Sequence, residues 1–415
     1  MKYLIFLPVI LVLFSCRSNK TEIYQWRGED RKGIFNEQNL LKEWPEDGPA
    51  EIWFVEGIGD GYGSPTLTDN EIFVTGAVDS TATMFNIDLN GQIKWKMPFG
   101  IEWVESYPGS RSQPTVVDDL IYVGSGMGNL YCLSRSTGAL VWEKDFVKDF
   151  NGVYPRFGHS EAPVIDAEKV FWTPGGKEHN VVALNRFTGE LIWSNKGHSE
   201  RSGYNPGTLI KLPSRNIFVT FSAYNLMGFD IETGELLWTH AQDNVAFEER
   251  EPGMGDTHSN SVIFDKGYIY YAAGDGNCGV KLQLSDDGTK ITEEWRNIGF
   301  DSYMGGIVKI DDYLYGSATS NKYFKSIDAT SGVVTDSLRL GWGAVIAADN
   351  MLYYYGQNGT LSLIELDEAG KMNQVSDFKI KRGANEHFAH PVIKNGTLYQ
   401  RHGQVLMAFD VKQER

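Results

Sequence analysis

Short runs of β-branched and aromatic residues alternate along this chain with turns rich in glycine, aspartate and serine. The stretch from Ser112 to Trp142 shows the unit. Residues 114–117 (PTVV), 120–123 (LIYV), 129–133 (NLYCL) and 139–142 (ALVW) are each too short for an ordinary helix, and each is strand-like in composition. Asp118-Asp119, then Gly124 to Gly128, then Ser136-Thr137-Gly138 separate them. Gly138 supplies the positive φ that a tight hairpin needs at its last turn position. The pattern predicts a four-stranded antiparallel meander.

The unit recurs, and its last turn and last strand make it countable. Asp88…Gly91…Trp95, Ser134…Gly138…Trp142, Asn185…Gly189…Trp193 and Asp230…Gly234…Trp238 repeat one arrangement. Ser285…Gly288…Trp295 is a longer version, and Asp328…Gly332 and Asp367…Gly370 are versions without the tryptophan. Steps between successive tryptophans from Trp95 to Trp295 are 47, 51, 45 and 57 residues. A four-stranded unit at that interval is a propeller blade. The last repeat, from His390 to Asp410, stops after three strands, and the strand bearing Trp53 has nothing before it. Together they make one blade. The expected fold is all-β: eight four-stranded antiparallel blades, with the ring closed by an N-terminal strand joining the C-terminal blade, so that no edge is left open. Each tryptophan is expected to bury its large flat face against the next blade.

Composition adds less. The formal charge of −16, with 38 basic against 54 acidic residues and no basic stripe, argues against nucleic acid as a partner. The start of the chain does add something. Lys2, the apolar run from Leu4 to Phe14, and Ser15-Cys16 read as a signal peptide over 1–15 that ends like a bacterial lipobox. Lipidation of Cys16 would hold the chain at a membrane surface. Arg17 after that cysteine, with no acidic run, favours the outer membrane of a Gram-negative cell. Residues 16–49 are expected to be a tether and a docking segment, because Trp26, Leu40, Leu41 and Trp44 argue for packing on the body, and 50–415 to be the propeller. Cys132 and Cys278 lie in strand contexts of different repeats, which favours buried free thiols over a disulfide.

The D-x-x-T-G-x-x-x-W unit, as in Asp230-Ile-Glu-Thr-Gly234-Glu-Leu-Leu-Trp238, resembles the tryptophan-docking repeat of PQQ-like eight-bladed propellers. The Gln25-Trp26-Arg27-Gly28 lead-in is similar to that of exported members. The family spans quinoprotein alcohol dehydrogenases and the non-enzymatic lipoprotein subunit of the outer-membrane β-barrel assembly machine. The dehydrogenases carry an adjacent-cysteine disulfide against the quinone and a calcium held by carboxylate and amide oxygens. This chain has no Cys-Cys pair and no cluster matching that calcium site. Neither PQQ nor another cofactor, nor a bound metal, is expected.

Chemistry is sought in the segments just before each blade's innermost strand, which in a propeller line one mouth of the central channel. They bring together Arg111, Arg156, His159, Glu161, Tyr204, His258, Trp342 and His387, a furnishing suited to a sugar or an anion. Two of the eight segments are Gly61-Tyr62-Gly63 and Asp301-Ser302-Tyr303-Met304. A lyase-like site would draw its base from His159, His258 or Tyr204 and its cation from Arg156 or Arg201, since abstracting a proton beside a carboxylate needs both. His159, His258 and His387 as a metal set carry no spacing signature. The glycines of 124–128 sit between two strands and form a hairpin turn instead of a phosphate loop. The first expectation is a monomeric, lipid-anchored, non-catalytic scaffold that binds envelope proteins or a glycan. The second is a carbohydrate-active enzyme, and the last a quinoprotein dehydrogenase.

Overall fold

The structure is a computed structural model, and it describes residues 22–242, 246–251, 255–274 and 276–413. Residues 1–15, read above as a signal peptide, and Cys16 lie outside the described residues. Eight sheets are arranged as a propeller. Blade 2 consists of Thr115–Val117, Leu120–Gly124, Leu130–Ser134 and Leu140–Lys144, each antiparallel to the next. Blade 8 joins Val392–Lys394, Thr397–His402 and Val405–Asp410 to Glu51–Glu56, which pairs antiparallel with Val405–Asp410 as the outer strand. The ring therefore closes as the sequence pattern predicts.

The glycine and the tryptophan of the repeat are two halves of one contact. Gly234 has φ +73, and a Cβ placed there would lie 2.6 Å from the Trp193 ring of the preceding blade. Gly189 stands in the same relation to Trp142, and Gly332 to Trp295. The indole lies flat on a turn that only glycine can make. Its N–H then reaches over the turn: Trp142 Nε1 donates to Arg186 O at 2.9 Å and Trp193 Nε1 to Ile231 O at 3.0 Å. Burial of the ring and satisfaction of its donor are achieved together.

A second set of ties runs between inner strands. Thr66 Oγ1 donates to Pro114 O, Thr115 Oγ1 to Pro163 O, Ser160 Oγ to Tyr204 O and Thr208 Oγ1 to Val262 O. Each joins one blade to the next. At the closure, the fully buried Arg401 of blade 8 donates to Gly63 O and Thr75 O of blade 1 (Thr66–Leu67, Glu71–Val78, Thr81–Asp88 and Ile93–Ile101, with the segment leading into it), at 3.0 and 2.6 Å. Cys132 and Cys278 are buried thiols, and neither is in a disulfide.

The segment before residue 50 crosses the channel. Ile23–Tyr24 pairs with the inner strand of blade 2, and Ile34–Phe35 runs parallel to the inner strand of blade 7, Gly343–Ala348. Between these pairs the chain passes from one wall to the other. Arg27 and Arg31, both buried, donate to inner-strand carbonyls on the two sides: Arg27 Nη2 to Ile307 O and Arg31 Nη2 to Pro163 O, each at 2.6 Å. Leu40 and Trp44 then seat in the core of blades 7 and 8.

Candidate functional site

The inner strands start at one face of the ring, and the crossing segment blocks the channel beneath them. What remains is a blind axial pit of about 420 Å³. Every blade contributes to its wall: Tyr62; Arg111 and Gln113; Phe157 and Ser160; Tyr204 and Pro206; Thr257 and Ser259; Tyr303, Met304 and Gly305; Trp342; and Phe388 with His390. Tyr107, from the loop before blade 2, joins the wall, and Trp26 of the crossing segment also lines the pit.

Eight of the eighteen lining residues are Tyr, Phe or Trp. Phe388 lies 5.2 Å from Tyr62 and 5.9 Å from Tyr107, Tyr107 lies 6.0 Å from Phe157, and Phe157 lies 6.2 Å from Tyr204. Elsewhere on the wall Tyr303 and Trp342 meet edge to face at 5.5 Å, and the Trp342 N–H donates to Thr319 O at 2.9 Å. The Trp26 ring lies edge-on to His390 at 4.8 Å.

Charge is scarce in the pit. Arg111 is the one Arg or Lys among the lining residues, and its guanidinium donates to Ser106 O at 2.7 Å and Tyr107 O at 2.6 Å. Burial pushes its pKa down. His390 is held neutral, well below the usual histidine range, by burial and by the neighbouring Arg27. Arg27 Nη1 approaches His390 Nδ1 at 3.1 Å, and since an arginine can only donate, Nδ1 accepts and the proton of the neutral ring sits on Nε2.

The other residues expected at the mouth are placed elsewhere. His159 is buried between Trp172 and Phe146, with Nε2 3.4 Å from Thr173 O, and burial pushes its pKa down to about 4. Glu161 is buried beside it and accepts from the Thr173 N–H and hydroxyl. His258 is buried against the preceding blade, with Nε2 2.8 Å from Ala223 O and its ring 4.9 Å from Phe221, and burial takes its pKa down to about 4. His387 stacks on His402 at 3.7 Å and contacts the Tyr355 hydroxyl, and desolvation again takes its pKa down to about 4. Arg201 is paired with Asp256 and the Tyr224 hydroxyl. Arg156 is exposed over the Phe157 ring. So Arg111, Tyr204 and Trp342 share the pit, whereas Arg156, His159, Glu161, His258, His387 and Arg201 do not line it. Among the described residues no three His, Cys, Asp or Glu side chains cluster as metal ligands.

The family model for the outer membrane protein assembly factor BamB matches residues 79–337. The chain belongs to this family. BamB of Yersinia pestis is 23% identical over 359 residues, covering 79% of this chain and 80% of that protein. The quinoprotein alcohol dehydrogenase PedH of Pseudomonas putida is 23% identical over 199 residues, and the match spans 46% of this chain but only 32% of that enzyme. The solved structure of BamB from Moraxella catarrhalis superposes with a TM-score of 0.64 at 14% identity, covering 87% of this chain and 99% of that one. At that identity the likeness speaks to the fold.

A quinone bearing three carboxylates does not suit the pit of this BamB-family chain. It would meet one guanidinium, already committed to two carbonyls, and no cluster of calcium ligands among the described residues. The aromatic wall has a partial sequence signal. Tyr62, Phe157, Tyr204, Tyr303 and Phe388 fall in equivalent segments of five repeats, ahead of the inner strand. Trp26 and Tyr107 lie outside the repeat and have no such signal.

Proposed function

We propose that this protein is an exported, lipid-anchored scaffold of the Gram-negative envelope, and that it works by binding at the axial pit without catalysing a reaction. The observation that carries the reading is the make-up of the pit: aromatic side chains drawn from around the ring, with no paired base and free cation. Membership of a family described as an outer membrane assembly factor supports the envelope setting and protein partners. Lipidation of Cys16 would attach the chain through the tether that leads to Glu22. The Ile23–Tyr24 strand lies against the end of the blade 2 inner strand remote from the mouth, so an anchored molecule would turn the pit away from its own membrane.

A lyase-like site has less support. Tyr204 lines the pit, but its hydroxyl accepts from the Phe157 N–H at 3.2 Å, and Arg111 is committed to carbonyls. The test is fractionation and affinity purification of the full-length chain from membranes, beside a Cys16→Ser variant. Outer-membrane fractionation that depends on Cys16, with reproducible co-purification of envelope proteins, is the expected result. A soluble wild-type chain without partners, or turnover of a uronate polysaccharide, would overturn the reading.

A further inference from the structure

The pit has a property that narrows its ligand beyond the scaffold reading on which this inference rests. It combines apolar ring faces with uncharged hydrogen-bonding groups that have no partner within the protein. Among the described residues the Gln113 amide, the hydroxyls of Thr257 and Ser259, and the Tyr107 hydroxyl hold no side-chain hydrogen bond. The His390 ring offers one more donor. Its Nδ1 is taken by Arg27, which leaves an Nε2–H of fixed tautomer in a side chain that lines the pit. The Trp26 indole N–H, also in a lining residue, is buried without an acceptor. Buried polar groups in proteins are rarely left unpaired, so the Trp26 N–H points to something that completes it, and the less buried groups around it are open to the same ligand.

We infer that the pit is a binding site for a neutral saccharide, one end of a short chain of uncharged sugar rings. A sugar ring presents weakly positive C–H groups on its faces and hydroxyls around its rim. The faces match the negative π surfaces of Trp342 and Tyr107, and the rim hydroxyls both donate to and accept from amide, hydroxyl and imidazole groups. The volume, about 420 Å³, is within the range of small-molecule sites. The lining favours a neutral ligand: a cation would find no carboxylate among the lining residues, and a uronate or phosphate would find a single guanidinium whose Nη2 is already held by Ser106 O and Tyr107 O. The blocked base admits a chain end and excludes a threaded polymer.

Tryptophan fluorescence reads this directly, because Trp26 and Trp342 both line the pit. The full-length mature protein is titrated with neutral gluco-, manno- and galacto-oligosaccharides, with oligogalacturonate, and with short peptides ending in phenylalanine or tyrosine. Saturable quenching or enhancement by a neutral oligosaccharide is expected, with no response to oligogalacturonate. Tyr107→Ala, at an exposed rim position, and Gln113→Ala should each weaken binding about tenfold or more while circular dichroism is unchanged. A response to the aromatic peptides and to none of the sugars would overturn the inference, as would sugar binding that survives both substitutions. If no sugar binds but envelope proteins still co-purify, the saccharide assignment fails and the scaffold reading stands.

Discussion

Replacing Arg27 by alanine removes the side chain that pins the crossing segment to the channel wall. Arg27 is 2% exposed, and its Nη2 donates to Ile307 O at 2.6 Å while Nη1 meets His390 Nδ1 at 3.1 Å. A hydrogen bond from a charged donor contributes about 1.5–3 kcal/mol, and its loss leaves buried acceptors in blades 6 and 8 unpaired. Against this stands the cost of holding the guanidinium out of water, which pushes its pKa down to about 10. Gly306 and Gly33 leave no room for a Cβ beside that guanidinium, so the truncated site is a cavity that neighbours fill poorly. The expected loss is about 3–4 kcal/mol, and with unfolding entropy proportional to chain length the melting temperature falls by roughly 4 °C. Urea unfolding followed by tryptophan fluorescence measures it. Because Trp26 lines the pit, iodide quenching in native buffer should rise as well. Arg27→Met, which restores bulk without donors, should recover less than half of the loss. A loss under about 1 kcal/mol for Arg27→Ala, with unchanged quenching, would refute the view that this arginine secures the segment.

Other consequences are open to the same equipment. Gly234→Ala places a Cβ against the Trp193 ring at a residue with φ +73, and should cost about 2–4 kcal/mol in urea unfolding. Arg401→Ala leaves Gly63 O and Thr75 O unpaired at the ring closure and should cost about 3–5 kcal/mol, with native-state hydrogen exchange rising first in blades 8 and 1. Burial pushes the Glu161 carboxyl up to about 8, beside Arg31, His159 and Thr173, so the fold keeps a proton that the unfolded chain releases near the ordinary glutamate value. Stability from this group therefore falls as pH rises toward 8. The depressed histidines act in the opposite sense, but only below about pH 6.5, where the unfolded chain begins to take up their protons. The urea midpoint is expected to drop between about pH 6.5 and 8, and Glu161→Gln should flatten that drop.

The blade count was legible because the contact that holds blades together is written as a fixed spacing of glycine and tryptophan. Closure was legible because the chain shows a last repeat lacking one strand and an orphan strand at the other end. The crossing segment was legible only as a docking segment. Trp26, Leu40 and Trp44 announce burial, but no periodic signal says that Arg27 and Arg31 enter the channel. At the mouth the right segments were readable and the inward-facing side chains were not. Those segments precede the regular strand, so strict alternation does not yet decide which side chain turns inward. Histidines and acids such as His159 and Glu161 turned into the blades, where Thr173 meets His159 Nε2 and both Glu161 oxygens while His159 Nδ1 has no partner, and the rings of Tyr62, Phe157 and Phe388 turned to the axis.

If this molecule acts by binding at the axial mouth, site-specific photo-crosslinking in living cells will trap its partner there. A benzophenone side chain is placed at Tyr107, 46% exposed on the pit wall, and for comparison at Val333, 60% exposed in a turn of blade 6. Discrete adducts of protein or glycan at position 107 that are absent at position 333 are the predicted result. No adduct at 107, or the same adducts at both positions, would contradict it.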